Sequence, residues 1–421
     1  MTDKNSLELR RRLQRIGRRK PTLARSHSDK SSLYKGLLDG ELLKTSLGMA
    51  FRIESHFQED HLHGQYPLSR ILTCPPRLVA DVARNPTLED VPINHLLFLD
   101  TETTGLAGGA GTLVFLVGVG AFVGEEFRIR QYFLRDPSEE MGMLHALQED
   151  IEKASGFVTY NGQAFDLPIL ENRYIIALRE HVPLISSPNL DLLHLTRRLW
   201  RHSLPDCTLT TVESQVLGVQ RSEEDVPGAW IPGMYLDYLR TGDASDMKRV
   251  IYHNVVDILS LVSLTSQVVE RYEQSDMDRL SSSEALAVAR WHQDLGRGNT
   301  AETAFKRAIS TSQLNVKIDA LRRYSAHLKR EGRRVEAVES WITWHELSAD
   351  DHRPCIELAK YYEWEVKDNE QAQYWAQQGL LCLTHWPADW RRDSVWEEIE
   401  NRLRRLAGKA EGHQDDGEES S

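Results

Sequence analysis

Cysteine is scarce in these 421 residues: Cys74, Cys207, Cys355 and Cys382 are the only four, far apart and in no CxxC pairing. Such spacing indicates neither a disulfide framework nor a thiolate zinc site, so buried or idle thiols are expected. Long apolar runs are missing, and the Arg-rich start lacks the apolar stretch of a secretory signal, so a cytoplasmic chain with no membrane association is expected. Positive charge is short as well. With 51 Lys and Arg against 63 Asp and Glu, the formal net charge is −12, the wrong sign for a protein that coats nucleic acid. An enzyme needs only a local basic path, which this balance leaves open. No Gly-x-Ser-x-Gly elbow of a serine hydrolase occurs.

What is present divides into stretches of different character. Residues 1–30 are polar and Arg-rich and read as a flexible basic arm. Residues 31–94 mix short apolar runs with Pro67, Pro75, Pro76, Pro86 and Pro92, an irregular lead-in. From residue 95 to 275 the pattern is that of a mixed α/β sheet: apolar or alternating runs at 96–99, 112–123 and 127–134 predict three antiparallel strands. Helices over 138–154 and 166–179 then flank a strand at 157–160, and a long helix starts near Ser245. Residues 276–410 read as all-α. Ala301-x3-Phe305-x2-Ala308, Ala337-x3-Trp341-x2-Trp344 and Ala372-x3-Ala376-x2-Gly379 recur at offsets of 36 and 35 residues. A period near 34 with small residues where paired helices cross resembles the tetratricopeptide repeat, and such an array implies a protein partner or help with substrate binding. Residues 411–421 read as a disordered acidic tail.

The chemistry-bearing residues are acidic. Phe98-Leu99-Asp100-Thr101-Glu102-Thr103-Thr104-Gly105-Leu106 sets two carboxylates at i and i+2 at the end of an apolar strand, where the two-residue period puts both on one face. Adjacent carboxylates repel, and leaving a core together is costly unless a cation lies between them; hard oxygen ligands suit Mg²⁺ or Mn²⁺. In Tyr160-Asn161-Gly162-Gln163-Ala164-Phe165-Asp166 a strand ends, the chain turns and an acid opens a helix; by itself Asp166 could equally be an N-cap. His253-Asn254-Val255-Val256-Asp257 places imidazole and carboxylate at i and i+4 on one helix face, which alone could be a surface pair.

Taken in order, these three elements resemble the motifs of the DEDD superfamily of exonucleases, and the resemblance covers residues from about 96 to 264. It implies an RNase H-like fold, a two-metal site of Mg²⁺ or Mn²⁺ held by Asp100, Glu102, Asp166 and Asp257, and 3′ to 5′ hydrolysis of phosphodiesters in single-stranded or 3′-ended nucleic acid. It also implies that Thr103, Thr104, Leu106 and Asn161 line the slot for the terminal nucleotide. The third motif departs from both well-known branches of that superfamily, since Tyr252 stands five residues and His253 four before Asp257. His253 is expected to be the catalytic base over Tyr252, having a pKa suited to proton transfer near neutrality.

The exonuclease-like part followed by tetratricopeptide-like repeats resembles the bacterial YprB-like proteins. Glu213, Leu217-Gly218 and Asp225-Val226-Pro227-Gly228 also look like that group, without an assigned role. An alternative stays open: an adaptor whose RNase H-like part is inactive and whose repeats bind a partner. Three weaker signals are Gly118-x-Gly120-x3-Gly124, which matches a nucleotide-binding loop only superficially; His56, His61 and His63, read as a polar loop rather than a metal site; and Arg197, Arg198 and Arg201, which could guide a strand.

Overall fold

The computed structural model describes residues 39–105, 111–222, 225–274 and 276–418, so the expected basic arm and Leu106 lie outside the described residues. Its centre is a seven-stranded sheet in the order β1-β2-β7-β6-β5-β8-β9. The strands are β1 Glu41–Thr45, β2 Gly48–Gln58, β5 Leu96–Thr103, β6 Val114–Val123, β7 Glu126–Phe133, β8 Gly156–Thr159 and β9 Asn189–Asp191; β3 Leu62–His63 and β4 Tyr66–Pro67 form a small separate ladder. From β1 to β5 neighbouring strands are antiparallel, and β8 and β9 add in parallel. The sheet is therefore mixed, as the apolar patterning predicts.

The expected irregular lead-in is corrected. Its described part supplies β1 and β2 and the helix α1 Pro76–Ala83. Phe51 and Ile53 alternate with Arg52, Glu54 and His56, and this half-polar alternation is what an edge region of a sheet presents when one face stays wet. The prolines that suggested irregularity all fall outside β1 and β2.

The remaining helices of the sheet region are α2 Glu140–Lys153, α3 Asp166–Arg173, α4 Leu192–Trp200, α5 Leu209–Val212, α6 Ile231–Thr241 and the 29-residue α7 Ser245–Glu273. Strand alternation sorts the core into two. Leu97 and Leu99 of β5 join residues of α2, α3 and α6 on one face, while Phe98 faces Val256, Ile258 and Leu259 of α7 on the other. α7 comes very close to the sheet because two of the facing positions on β6 are glycines: a Cβ on Gly118 would strike the Asn254 carboxamide and Ile258, and one on Gly120 would strike Phe127 and Ile258. The Gly-x-Gly spacing is thus a packing device, and Gly124, at φ 64°, makes the β6–β7 hairpin turn.

Beyond α7 the chain is helical: α8 Ser282–Asp294, α9 Gly298–Ile309, α10 Leu314–Arg330, α11 Arg334–Leu347, α12 Arg353–Tyr361, α13 Asn369–Leu383 and α14 Trp390–Glu418, each packed on the next. The recurring positions Ala301, Phe305, Ala308, Ala337, Trp341, Trp344, Ala372, Ala376 and Gly379 are all buried. α14 runs to Glu418, so most of the stretch expected to be a disordered tail is helix, and residues 419–421 lie outside the described residues. Among the described residues no helix is long and apolar enough to cross a membrane.

The two regions share a core. The apolar cluster on the α7 side of the sheet continues without a break into α8 to α12. The Trp291 indole packs tilted against Tyr272, at 3.9 Å between centroids, and donates 3.1 Å to the Asp81 carbonyl; the Trp200 indole donates 2.8 Å to Glu284. Arg84–Asp294 and Arg297–Asp81 ion pairs close the rim.

Candidate active site

The carboxyl end of β5 is where the two faces of the sheet deliver their acids. Asp100 and Glu102 share the face of Phe98 and turn toward α7, whereas Thr101 points to the opposite face and donates 2.5 Å to the Asp166 carboxylate in the first turn of α3. A register shift between Glu102 and Thr103 ends regular pairing with β6 there, a common device for re-aiming side chains. Asp257 comes from α7, one turn after His253. The fold thus brings Asp100, Glu102, Asp166 and Asp257 together.

The acids bear on one another's ionisation. Burial, then the charges of Asp257, Glu102 and Asp166, hold the Asp100 carboxyl well above its ordinary range; burial, then Asp257 and Asp166, does the same to Glu102. Asp166 is pushed up by burial to about 6, although the Thr101 hydroxyl works against the rise. No Lys or Arg ion-pairs with Asp100 or Asp166 among the described residues. A cluster of buried carboxylates that cannot all ionise is a site that lacks only positive charge, and its all-oxygen donor set fits Mg²⁺ or Mn²⁺.

Asp257 differs. One of its oxygens is held by Arg221, which is itself buried and reaches Glu213 at 2.6 and 2.7 Å and Asp225 at 3.3 Å. The other oxygen lies 3.5 Å from His253 Nε2, which also faces Glu102 at 3.9 Å. His253 Nδ1 sits 2.7 Å from Asp225 Oδ1 and 2.9 Å from Arg221 Nη1. One ring nitrogen cannot donate to the first and accept from the second. The carboxylate contact is the shorter, and Arg221 has Glu213 and Asp257 to serve, so Nδ1–H donates to Asp225 and the Nε2 lone pair faces the acids. Tyr252 packs among the apolar side chains around α7.

The expected slot residues are distributed differently. Thr103 Oγ1 donates 3.0 Å to the Gly105 carbonyl, and Thr104 Oγ1 accepts from Leu113 N at 3.0 Å, so both hydroxyls brace the loop beyond β5. Asn161 is exposed, in left-handed conformation at φ 67°, and its backbone N–H donates 2.8 Å to Asp191. His56 pairs with Glu54 and Glu126 on the sheet and His63 bonds Ser260 at 2.7 Å, so the three histidines form no metal cluster.

Five residues around the acids had no role in the sequence reading. Asn254 is fully buried, donates 2.7 Å to the Asp100 carboxylate and accepts 2.7 Å from Gln131, which fixes Asp100 from α7. Asp191, the N-cap of α4, also clasps the Asn161 and Gln163 amides and so sets the turn before Asp166. Glu213, Arg221 and Asp225 form the clamp on Asp257 and His253. The Glu213 and Asp225 motifs stood out in the sequence, but only the fold supplies Arg221 as their link.

An acid cluster at the end of the central strand of such a mixed sheet points to a class: residues 97–269, which include all four acids, match the model of a family in the RNase H superfamily. The likeness extends into the helical region. The chain is similar to the uncharacterized protein YprB of Bacillus subtilis (strain 168), 34% identical over 328 residues that make up 75% of each chain, and so belongs to the family of YprB-like proteins, as the sequence resemblance to that group implied.

Proposed function

We propose that this chain is a divalent-metal-dependent nuclease of the DEDD type that removes nucleotides from 3′ ends of nucleic acid. The observation that supports it is the convergence of Asp100, Glu102, Asp166 and Asp257, with Asp100 and Glu102 held above the ordinary range by burial and the neighbouring acids and Asp166 by burial. These four would hold Mg²⁺ or Mn²⁺, which when bound would supply a lowered pKa for an attacking water and positive charge for the departing 3′ oxygen.

The chain's own groups do the rest. His253 takes the water's proton at Nε2, and Asp225 at 2.7 Å from Nδ1 keeps the ring in the tautomer that can do so and stabilises the imidazolium that results. Asn254 holds Asp100 in place at 2.7 Å. Asp191 sets the turn carrying Asn161, which with the loop braced by Thr103 and Thr104 frames the place for the terminal nucleotide. Arg197 and Arg201, exposed on and just after α4, offer phosphates a local positive path despite the acidic total. The helices from α8 onward are degenerate tetratricopeptide-like hairpins that bind substrate or a protein partner.

Asp100→Asn and Asp257→Asn should each lower Mn²⁺-dependent degradation of a 3′-labelled oligonucleotide at least ~100-fold. Undiminished cleavage by either variant overturns the reading. Matched DNA and RNA substrates, blocked at one end or the other, test polarity and sugar preference in the same assay. The Arg221–Asp257 pair favours one rival, an adaptor in which Arg221 has taken over a cation's place. That rival requires that Mn²⁺ leave the melting temperature unchanged.

A further inference from the structure

A second group of metal-ligating side chains lies far along the chain from the carboxylates. His345 in the last turn of α11, Cys355 in the first turn of α12 and Cys382 in the last turn of α13 offer one imidazole nitrogen and two sulfurs, all within 4.8 Å of one another. Among the described residues it is the one group of three or more His, Cys, Asp and Glu whose ligand atoms all lie this close to one another. Spacing in the sequence gave no hint of it, because the residues come from three successive helices. The helices are in contact there: a Cβ on Gly379, one turn before Cys382, would stand in ordinary contact with the Cβ of Cys355 at 3.6 Å and with Ile399 at 3.4 Å.

We propose that His345, Cys355 and Cys382 form a Zn²⁺ site that ties α11, α12 and α13 together. Zinc bonds of about 2.3 Å to sulfur and about 2.0–2.1 Å to nitrogen, set tetrahedrally, separate neighbouring ligand atoms by about 3.5–3.8 Å. His345 Nδ1 lies 3.2 Å from Cys355 Sγ, and the whole group falls inside 4.8 Å, so ligation requires shifts of only tenths of an ångström to an ångström. The donor set is soft, which selects Zn²⁺ over the Mg²⁺ or Mn²⁺ suited to an all-carboxylate site. Cys355 and Cys382 are buried, whereas His345 is half-buried and leaves a side on which water completes the fourth position. The His345 ring is oriented by Trp375, edge to face at 86° and 5.6 Å.

The test uses the full-length wild-type chain, reduced, stripped with a chelator and reloaded with Co²⁺ or Zn²⁺ alone. Co²⁺ should give a thiolate-to-metal charge-transfer band, which carboxylate-bound Co²⁺ cannot give. The band should vanish in Cys355→Ser and Cys382→Ser and persist in Asp100→Asn. Should the Cys variants fail to fold, alkylation of the wild-type chain decides. Zn²⁺ at about ten times its Kd should slow modification of Cys355 and Cys382 roughly tenfold, while Cys207, half-buried and remote, reacts at an unchanged rate. No charge-transfer band and no Zn²⁺ protection overturn the site. So does a purified chain whose mass is short by two hydrogens because Cys355 and Cys382 are joined, if the reduced form then takes up no metal.

Discussion

Replacing Arg221 by Met isolates the clamp on which the third motif rests. The guanidinium is buried, 8% exposed, and bridges Glu213, 1% exposed, to Asp257, 13% exposed. Burial outweighs pairing at Glu213, whose carboxyl stays above its ordinary range even with Arg221 beside it, because the one cation is shared among three acids. Removing that cation leaves Glu213 with the Ser260 hydroxyl at 2.6 Å as its remaining side-chain bond. The expected cost of an uncompensated buried charge is about 3–5 kcal/mol. Asp257 and Asp225 are more exposed and add less. Arg221→Met/Glu213→Gln removes charge on both sides, and a neutral amide still accepts from Ser260, so the double variant should recover at least about half the loss. Guanidinium denaturation of the four proteins in EDTA gives the cycle, and midpoint shifts at constant slope give the energies. A divalent cation would replace part of the lost positive charge, so Mn²⁺ should stabilise Arg221→Met more than the parent. A single variant within about 1 kcal/mol of the parent, or a double variant as unstable as the sum of the singles, refutes the clamp.

Three further outcomes follow from contacts described above. In EDTA the four-acid cluster should lower stability as pH rises: Asp100, Glu102 and Asp166 have folded pKa values above their unfolded ones, Asp166 about 6, so the folded state binds more protons and loses that advantage from about pH 4 up through and beyond 6. Asp100→Asn should flatten the profile and saturating Mn²⁺ should abolish it; a midpoint that rises with pH in EDTA contradicts the geometry. Gly118→Ala should cost about 1–3 kcal/mol by overpacking and weaken Mn²⁺ binding, since the new methyl pushes Asn254 away from Asp100; calorimetry with and without Mn²⁺ reads both effects. Glu363, fully buried beneath Arg402, Arg405 and Lys409, has its carboxyl held at about 2. Glu363→Gln should cost roughly 3 kcal/mol at neutral pH, and the difference from the parent should vanish as acid titrates the range from the ordinary carboxylate value down toward 2. A difference that persists in acid would mean lost shape rather than lost charge.

Legibility in the sequence tracked how local each cause was. Asp100 and Glu102 follow an apolar strand, and His253 and Asp257 share a helix face, so periodicity alone orients each pair. Their meeting with Asp166 across the sheet was carried by motif order, since no local rule joins residues 100, 166 and 257. Arg221 and Asn254 escaped notice because an Arg in a loop and an Asn in a helix are common; what sets them apart is burial against charged partners, a tertiary property. β1 and β2 were missed for the opposite reason, their alternation being present but half charged and followed by proline-rich chain. The thiols were dismissed on spacing, and spacing is uninformative when three helices contribute one ligand each.

The unbroken core beneath α7 and α8 carries a mechanical implication. Severing the chain between Glu273 and Ser281 would not free two finished bodies, since each half would be left with bare indole and phenol surface, Trp291 on one side and Tyr272 on the other. The helical array is therefore braced against the sheet like a fixed arm. Under the proposed function, anything bound along α8 to α12 would be held at a set distance and bearing from Asp100, as by a gauge rather than a swinging gate.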